Sequence, residues 1–211
     1  MKQRAVIFDY DGTLIDTTPV KLASYADAFQ EVFGTDPSKR RIVNETQLKL
    51  GGAPKRMQLA ETLRVLGIQA TEQQVERWCR LYVEANERNT PSCPEFPIVP
   101  LMLATLKTLY DLYLVSGLPD DQLKADAQRR GLASHFLEIH GGDKAAFCRA
   151  FRKRYYQQVY FVGDGMYDQQ VAREAGFRFF EVQDNSDLKR AFDTLLEQAE
   201  PGAPMTDSMF C

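Results

Sequence analysis

A short apolar run that ends in two aspartates constrains this chain more than any other feature. Residues 5–8, Ala-Val-Ile-Phe, run directly into Asp9, Tyr10, Asp11 and Gly12. Four to eight apolar residues closed by a glycine read as a buried strand of a parallel sheet. Ligands of open parallel sheets bind just beyond the carboxyl ends of the strands. The sequence therefore puts two carboxylates where an α/β protein keeps its chemistry. Adjacent acids repel each other and lose hydration, so they need a cation or a shared proton.

The rest of the chain supplies the sheet. Further strand-like runs lie at residues 112–115, 137–139, 159–162 and 177–182. Helical patterns separate them. Met102, Leu106 and Leu109 share one face; Leu123, Ala127 and Arg130 share another, stopped by Gly131. Residues 145–156, residues 168–175 closed by Gly176, and a last stretch with Leu188, Phe192, Leu195 and Leu196 complete the series. This alternation predicts an α/β fold, a doubly wound parallel sheet of Rossmann-like type covered on both faces.

The long stretch between the first two strands carries no strand pattern. Residues 19–33, 54–66 and 71–89 have apolar positions at three-and-four spacing and read as helices. Thr71 with Gln74 three residues on is a capping-box signal. A structureless loop of that length is implausible, so an inserted all-helical cap domain is expected over residues 17–96. The core would then comprise residues 1–16 and 97–211. Pro91, Pro94, Pro97 and Pro100 stiffen the return to the core. The tail from Glu200 is expected to be poorly ordered.

Composition narrows the function. The 211 residues are 44% hydrophobic and 26% charged, with a net charge of −3, so no global basic field invites nucleic acid or an anionic membrane. Lys39-Arg40-Arg41 and Arg152-Lys153-Arg154 read as solvated helix faces. No run approaches the roughly 18 apolar residues of a membrane span. Cys79, Cys93, Cys148 and Cys211 are scattered, with no metal or disulfide spacing, which fits free thiols in a cytoplasmic protein.

Three more polar signals sit where strands are expected to end. They are Ser116-Gly117, then Gly141-Gly142-Asp143-Lys144, then Gly163-Asp164-Gly165 with Asp168 one helical turn on. With Asp9 and Asp11 they place four acids, a hydroxyl and a lysine on one sheet edge. Oxygen-rich acids around a point describe a hard-cation site, magnesium first. A serine hydroxyl, a lysine ammonium and the close backbone of Gly12, Gly117 and Gly165 suit an anion with three oxygens. That set is the toolkit of phosphoryl transfer, which consists mostly of positioning and charge neutralisation.

These motifs resemble the haloacid dehalogenase superfamily of hydrolases, in its capped phosphatase branch. Asp9-Tyr10-Asp11-Gly12-Thr13 is similar to the first family motif, Ser116 to the second and Lys144 to the third. Gly163-Asp164-Gly165-Met166-Tyr167-Asp168 is similar to the fourth. The resemblance implies a magnesium-dependent phosphatase acting on a small phosphate ester of phosphoglycolate or sugar-phosphate type. Asp9 would be the nucleophile, forming an aspartyl-phosphate, and Asp11 the general acid and then base. Magnesium would take Asp9, Asp11 through its backbone carbonyl, and Asp164, with Asp168 helping directly or indirectly. Gly12, Ser116, Gly117 and Lys144 would hold the phosphoryl group.

The connection before Lys144 is shorter than in many relatives, which leaves Lys107, Lys124 and Lys153 as fallbacks. In the cap, Gly52, Lys55 and Arg56 follow a glycine turn into a helix, with Pro54 suited to its first position. They resemble the specificity loop of related enzymes. A phosphosugar mutase of the same fold remains an alternative, although Lys21 stands where such enzymes carry a histidine. A dehalogenase is disfavoured, since a halide leaves without a proton and Asp11 is present. A phosphate-binding receiver module, or a protein without catalysis, is the remaining alternative. His135, His140, Trp78, Tyr155, Tyr156 and Tyr160 read as structural.

Overall fold

The computed structural model describes every residue except Met1, Thr35, Gly51, Gly52, Lys153, Tyr155 and 200–211. The expectations for Gly52, Lys153, Tyr155, Cys211 and the tail therefore fall outside the described residues. The apolar run that opens the chain forms β1 (Arg4–Asp9), the central strand of a five-stranded sheet. It pairs in parallel with β2 (Asp111–Ser116) on one side and β4 (Gln158–Gly163) on the other. β3 (Glu138–Gly141) and β5 (Arg178–Glu181) add outside them, giving the order β3-β2-β1-β4-β5. The strand order reverses at β1, so the end of β1 faces the crevice where such sheets bind ligands.

The alternation of side chains along β1 decides both cores. Val6 and Phe8 point to a face shared with Leu112, Leu114 and Val162, covered by α5 (Val99–Leu109), α6 (Asp120–Arg129) and α9 (Asn185–Ala199). Ala5 and Ile7 point to the opposite face with Tyr113, Val115 and Phe161, covered by α7 (Lys144–Phe151) and α8 (Met166–Ala175). Residues 5–8 are all fully buried. Each such large side chain contributes about 1.5–3 kcal/mol through burial, which locks the register of the strand that carries Asp9.

The insert has a core of its own. Tyr25 and Phe29 of α1 (Thr18–Phe33), Leu59 and Leu63 of α3 (Lys55–Leu66), and Trp78 and Tyr82 of α4 (Glu72–Asn89) pack together. Trp78 lies 4.8 Å from Tyr25 and 5.1 Å from Tyr82, ring centroid to centroid. The Thr71–Gln74 capping box is formed. The helical cap expected from the sequence is present.

Five details differ from the sequence reading, the first being that α7 ends at Phe151 rather than at residue 156. A further helix, α2 (Arg40–Lys49), buries Val43, Thr46 and Gln47. Two of these three are polar, so no apolar stripe announces it. Pro54 is the residue before α3 rather than its first. β3 lies later than expected because its pairing runs on to Ser116 opposite Gly141, and a Cβ on Gly141 would press on Leu118 O and the backbone of Asp120. The proline-rich return is packed rather than a free spacer: Cys93 and Phe96 join the main core, and Phe96 N–H donates to Leu14 O at 3.0 Å. No helix among the described residues is long and apolar enough to cross a membrane.

Candidate active site

Asp9 closes β1 opposite Val115 and is 2% exposed. Its partner comes from the far side of the sheet. β3 ends at Gly141, Gly142 turns the chain at φ 107°, and Asp143 caps α7 by accepting from Ala146 N–H at 2.9 Å. A φ of this sign suits glycine alone. Lys144 thereby becomes the first residue of α7, and the short connection is long enough. Its Nζ lies 2.6 Å from Asp9 Oδ1 and 2.8 Å from Asp168 Oδ1, with all three side chains nearly or fully buried. Lys124, a fallback from the sequence, instead pairs with Asp120 at 2.5 Å on the surface.

Asp164 follows β4, and Asp168 lies in the first turn of α8. One carboxylate oxygen from each of Asp9, Asp164 and Asp168 falls within a common 4.8 Å. Burial drives the electrostatics. It raises the Asp9 carboxyl to about 7, against the opposing pull of Lys144, with Asp168 and Asp11 adding to the rise. Asp164 is raised well above the usual carboxylate range by burial, then by Asp9 and Asp168. Burial alone would depress the Lys144 ammonium, but Asp168, Asp9 and Asp164 outweigh it and raise its pKa.

The donor set fits a hard divalent cation. Asp164 Oδ1 and Asp168 Oδ2 are buried with no hydrogen-bond partner, an arrangement that costs free energy unless a cation or proton is supplied. All the donors are carboxylate oxygens, which suit magnesium-like ions rather than soft metals.

Asp11 sits on the cavity side of β1, 12% exposed, and its Oδ2 lies 3.2 Å from Lys21 Nζ of α1. Ser116 closes β2, and its Oγ accepts from Leu118 N–H at 3.2 Å, leaving the hydroxyl proton uncommitted. Gly117 lines the cavity beside it. Gly12 does not offer its amide to an anion, because its N–H donates to Ile15 O at 2.8 Å. What the fold demands of Gly12 is the absence of a side chain: its φ is +85°, and a Cβ there would overlap Asp164 Oδ2.

Asp9, Asp11, Ser116, Gly117, Lys144 and Asp164 form the floor of one cavity of about 1040 Å³. Asp168 stands behind Lys144 and is fully buried. The wall opposite the floor comes from the cap. Lys55 reaches it; Arg56 instead pairs with Glu72 at 2.6 Å on the outer surface. Lys21, Gln47, Gln58, Tyr82 and Asn86 also line the cavity. The sequence reading did not assign them to the site. A signal existed: Lys21 stands four residues before inward Tyr25, Gln58 four before Thr62, and Asn86 four after Tyr82. Polar side chains on the inward face of a helix invite an explanation.

The family model for haloacid dehalogenase-like hydrolases matches residues 6–182. The chain belongs to this family. The motif resemblance seen in the sequence is thus borne out. No curated protein matches the chain. Solved structures similar to this family member include a predicted phosphoglycolate phosphatase from Haemophilus somnus, at 22% identity and TM-score 0.64, covering 86% of each chain. A haloacid dehalogenase-like family hydrolase from Streptococcus pneumoniae aligns at 18% identity and TM-score 0.66, covering 93% of this chain and 98% of that one. A hydrolase from Pseudomonas syringae aligns at 21% identity and TM-score 0.67, covering 89% and 90%. At these identities the likeness is one of fold.

Among the described residues Cys79, Cys93 and Cys148 are free thiols. His140 stacks on Phe147 at 5.0 Å, and Trp78 and Tyr160 are core residues.

Proposed function

We propose that this haloacid dehalogenase-like hydrolase is a magnesium-dependent phosphatase acting on small phosphate esters through an aspartyl-phosphate. The observation that carries the reading is the floor of the cavity. A buried carboxylate at a strand end lies 2.6 Å from a buried ammonium, with a second acid, Asp11, facing the same space. The phosphatase names of some structural neighbours agree with it. In this reading residues 1–16 and 97–211 form the catalytic core, and residues 17–96 form the cap that roofs it.

The chemistry follows from the placement of each group. An Asp9 carboxylate oxygen attacks phosphorus; the bond to the ester oxygen breaks, and Asp11 gives its proton to the leaving alkoxide. Asp11, now a carboxylate, takes a proton from water as that water attacks the aspartyl-phosphate. The phosphorus–Asp9 bond breaks, and inorganic phosphate and the free carboxylate result. Ser116 and Lys144 hold the equatorial oxygens during both displacements, and Lys144 favours the ionised form of Asp9 that attacks, against the effect of burial. Asp9, Asp164, Asp168 and the Asp11 carbonyl would hold the magnesium ion. When bound it neutralises charge on the transferring group and lets the acids ionise together.

Hydrolysis of p-nitrophenyl phosphate with magnesium, and its loss in EDTA, tests the activity. Asp9→Asn is expected to fold and to show no turnover above about one ten-thousandth of the parent rate. Retained turnover in that variant removes Asp9 as nucleophile.

A further inference from the structure

Polar side chains stand in the roof of the cavity among the apolar Leu48, Ala53 and Val83, where a lid that merely excluded water would be apolar throughout. Gln58 of α3 and Asn86 of α4 line it, and Gln58 is 5% exposed. Gln58 Nε2 donates to the carbonyls of Leu50 at 3.2 Å and Ala53 at 2.9 Å. Those two bonds fix the orientation of the amide, so its oxygen faces away from them. Asn86, together with Gln47, hydrogen-bonds the Tyr82 hydroxyl. Yet Gln58 Oε1 and Asn86 Oδ1 are both buried without a partner. An orphaned buried acceptor is destabilising, and a site that keeps two of them is built for a donor that arrives with the ligand.

Lys55 narrows the donor further. It lines the same roof and carries only N–H donors. An ammonium on the ligand would be repelled by it. A carboxylate would satisfy Lys55 but would oppose its lone pairs to the two amide oxygens. A hydroxyl does both jobs, donating to an amide oxygen and accepting from the ammonium.

Resting on the phosphatase reading, we infer that Gln58, Asn86 and Lys55 form a subsite for the hydroxyl-bearing leaving group of a polyol or sugar phosphate. Phosphorylated short carboxylic acids fit it poorly. Steady-state hydrolysis of sorbitol 6-phosphate, 2-phosphoglycolate and p-nitrophenyl phosphate by the full chain with magnesium tests this. The kcat/KM for sorbitol 6-phosphate is expected to exceed that for 2-phosphoglycolate by about tenfold or more. Asn86→Leu and Gln58→Leu are each expected to lower the ratio of kcat/KM for sorbitol 6-phosphate over p-nitrophenyl phosphate by about tenfold, one hydrogen bond's worth, mainly through KM. Circular dichroism identifies which variants are folded, and either one suffices. Preference for 2-phosphoglycolate, or an unchanged ratio in a folded variant, overturns the subsite while leaving the phosphatase intact. Failure of the parent protein on all three esters overturns the phosphatase reading, and the subsite with it.

Discussion

Replacing Lys144 with methionine removes the one ammonium that lies between Asp9 and Asp168. The side chains differ little in length, so the hole is small and the loss is electrostatic. Two contacts disappear, at 2.6 and 2.8 Å, among side chains that are 4%, 3% and 0% exposed. Breaking a buried ion pair by deleting one partner costs about 3–5 kcal/mol, because the charge left behind is neither solvated nor paired. The penalty depends on pH. The Asp9 carboxyl stands near 7 in the folded state against an ordinary 3.8. A group whose folded pKa is raised binds more protons folded than unfolded between those values, so stability falls as pH rises through that window. Without Lys144 the carboxyls rise further and the window widens upward. The deficit is therefore expected near about 3 kcal/mol around neutral pH, where the carboxyls can take up protons, and near about 5 at pH ~8, where protons are scarcer. At this chain length about 3 kcal/mol lowers Tm by roughly 6–12 °C. Thermal melts of both proteins in EDTA, at about pH 5 and pH 8, measure it. A Tm loss under about 3 °C at the higher pH, or a loss larger at the lower pH, would mean that the Lys144 ammonium does not carry this stability.

Magnesium added to the parent protein is expected to raise Tm, and by more at about pH 8 than at pH 5, because only ionised acids bind it; differential scanning calorimetry reads this without any turnover. Lys21→Met removes the 3.2 Å partner that holds the Asp11 carboxyl in place, and the lost positioning of the acid is expected to lower kcat for an alkyl phosphate by about tenfold. The loss should be smaller for p-nitrophenyl phosphate, whose leaving group needs little acid help; equal losses on the two esters would make Lys21 merely structural. Gly12→Ala must hold alanine at φ +85° against Asp164 and should cost about 1–2 kcal/mol or more, seen as a lower urea midpoint and weaker magnesium binding by titration calorimetry.

The chemistry of the sheet edge was legible in the chain because strands are local. Residues 5–8 declare a buried strand through their own apolarity, and a strand that ends in Asp9-Tyr10-Asp11-Gly12 can deliver those acids to one place only. Ser116, Lys144 and Asp164 follow the same rule at the ends of β2, β3 and β4. Tertiary structure decided everything that depends on what one element presents to another. It seated Lys144 between Asp9 and Asp168 from across the sheet, gave the Gly12 amide to Ile15, and sent Arg56 outward to Glu72 while Lys55 turned in. Gln47 of α2 and the roof residues Gln58 and Asn86 escaped the sequence reading for a common physical reason. Apolar periodicity reports faces buried against hydrocarbon, whereas these amides are turned toward a cavity that exists only once two separate cores have closed around it.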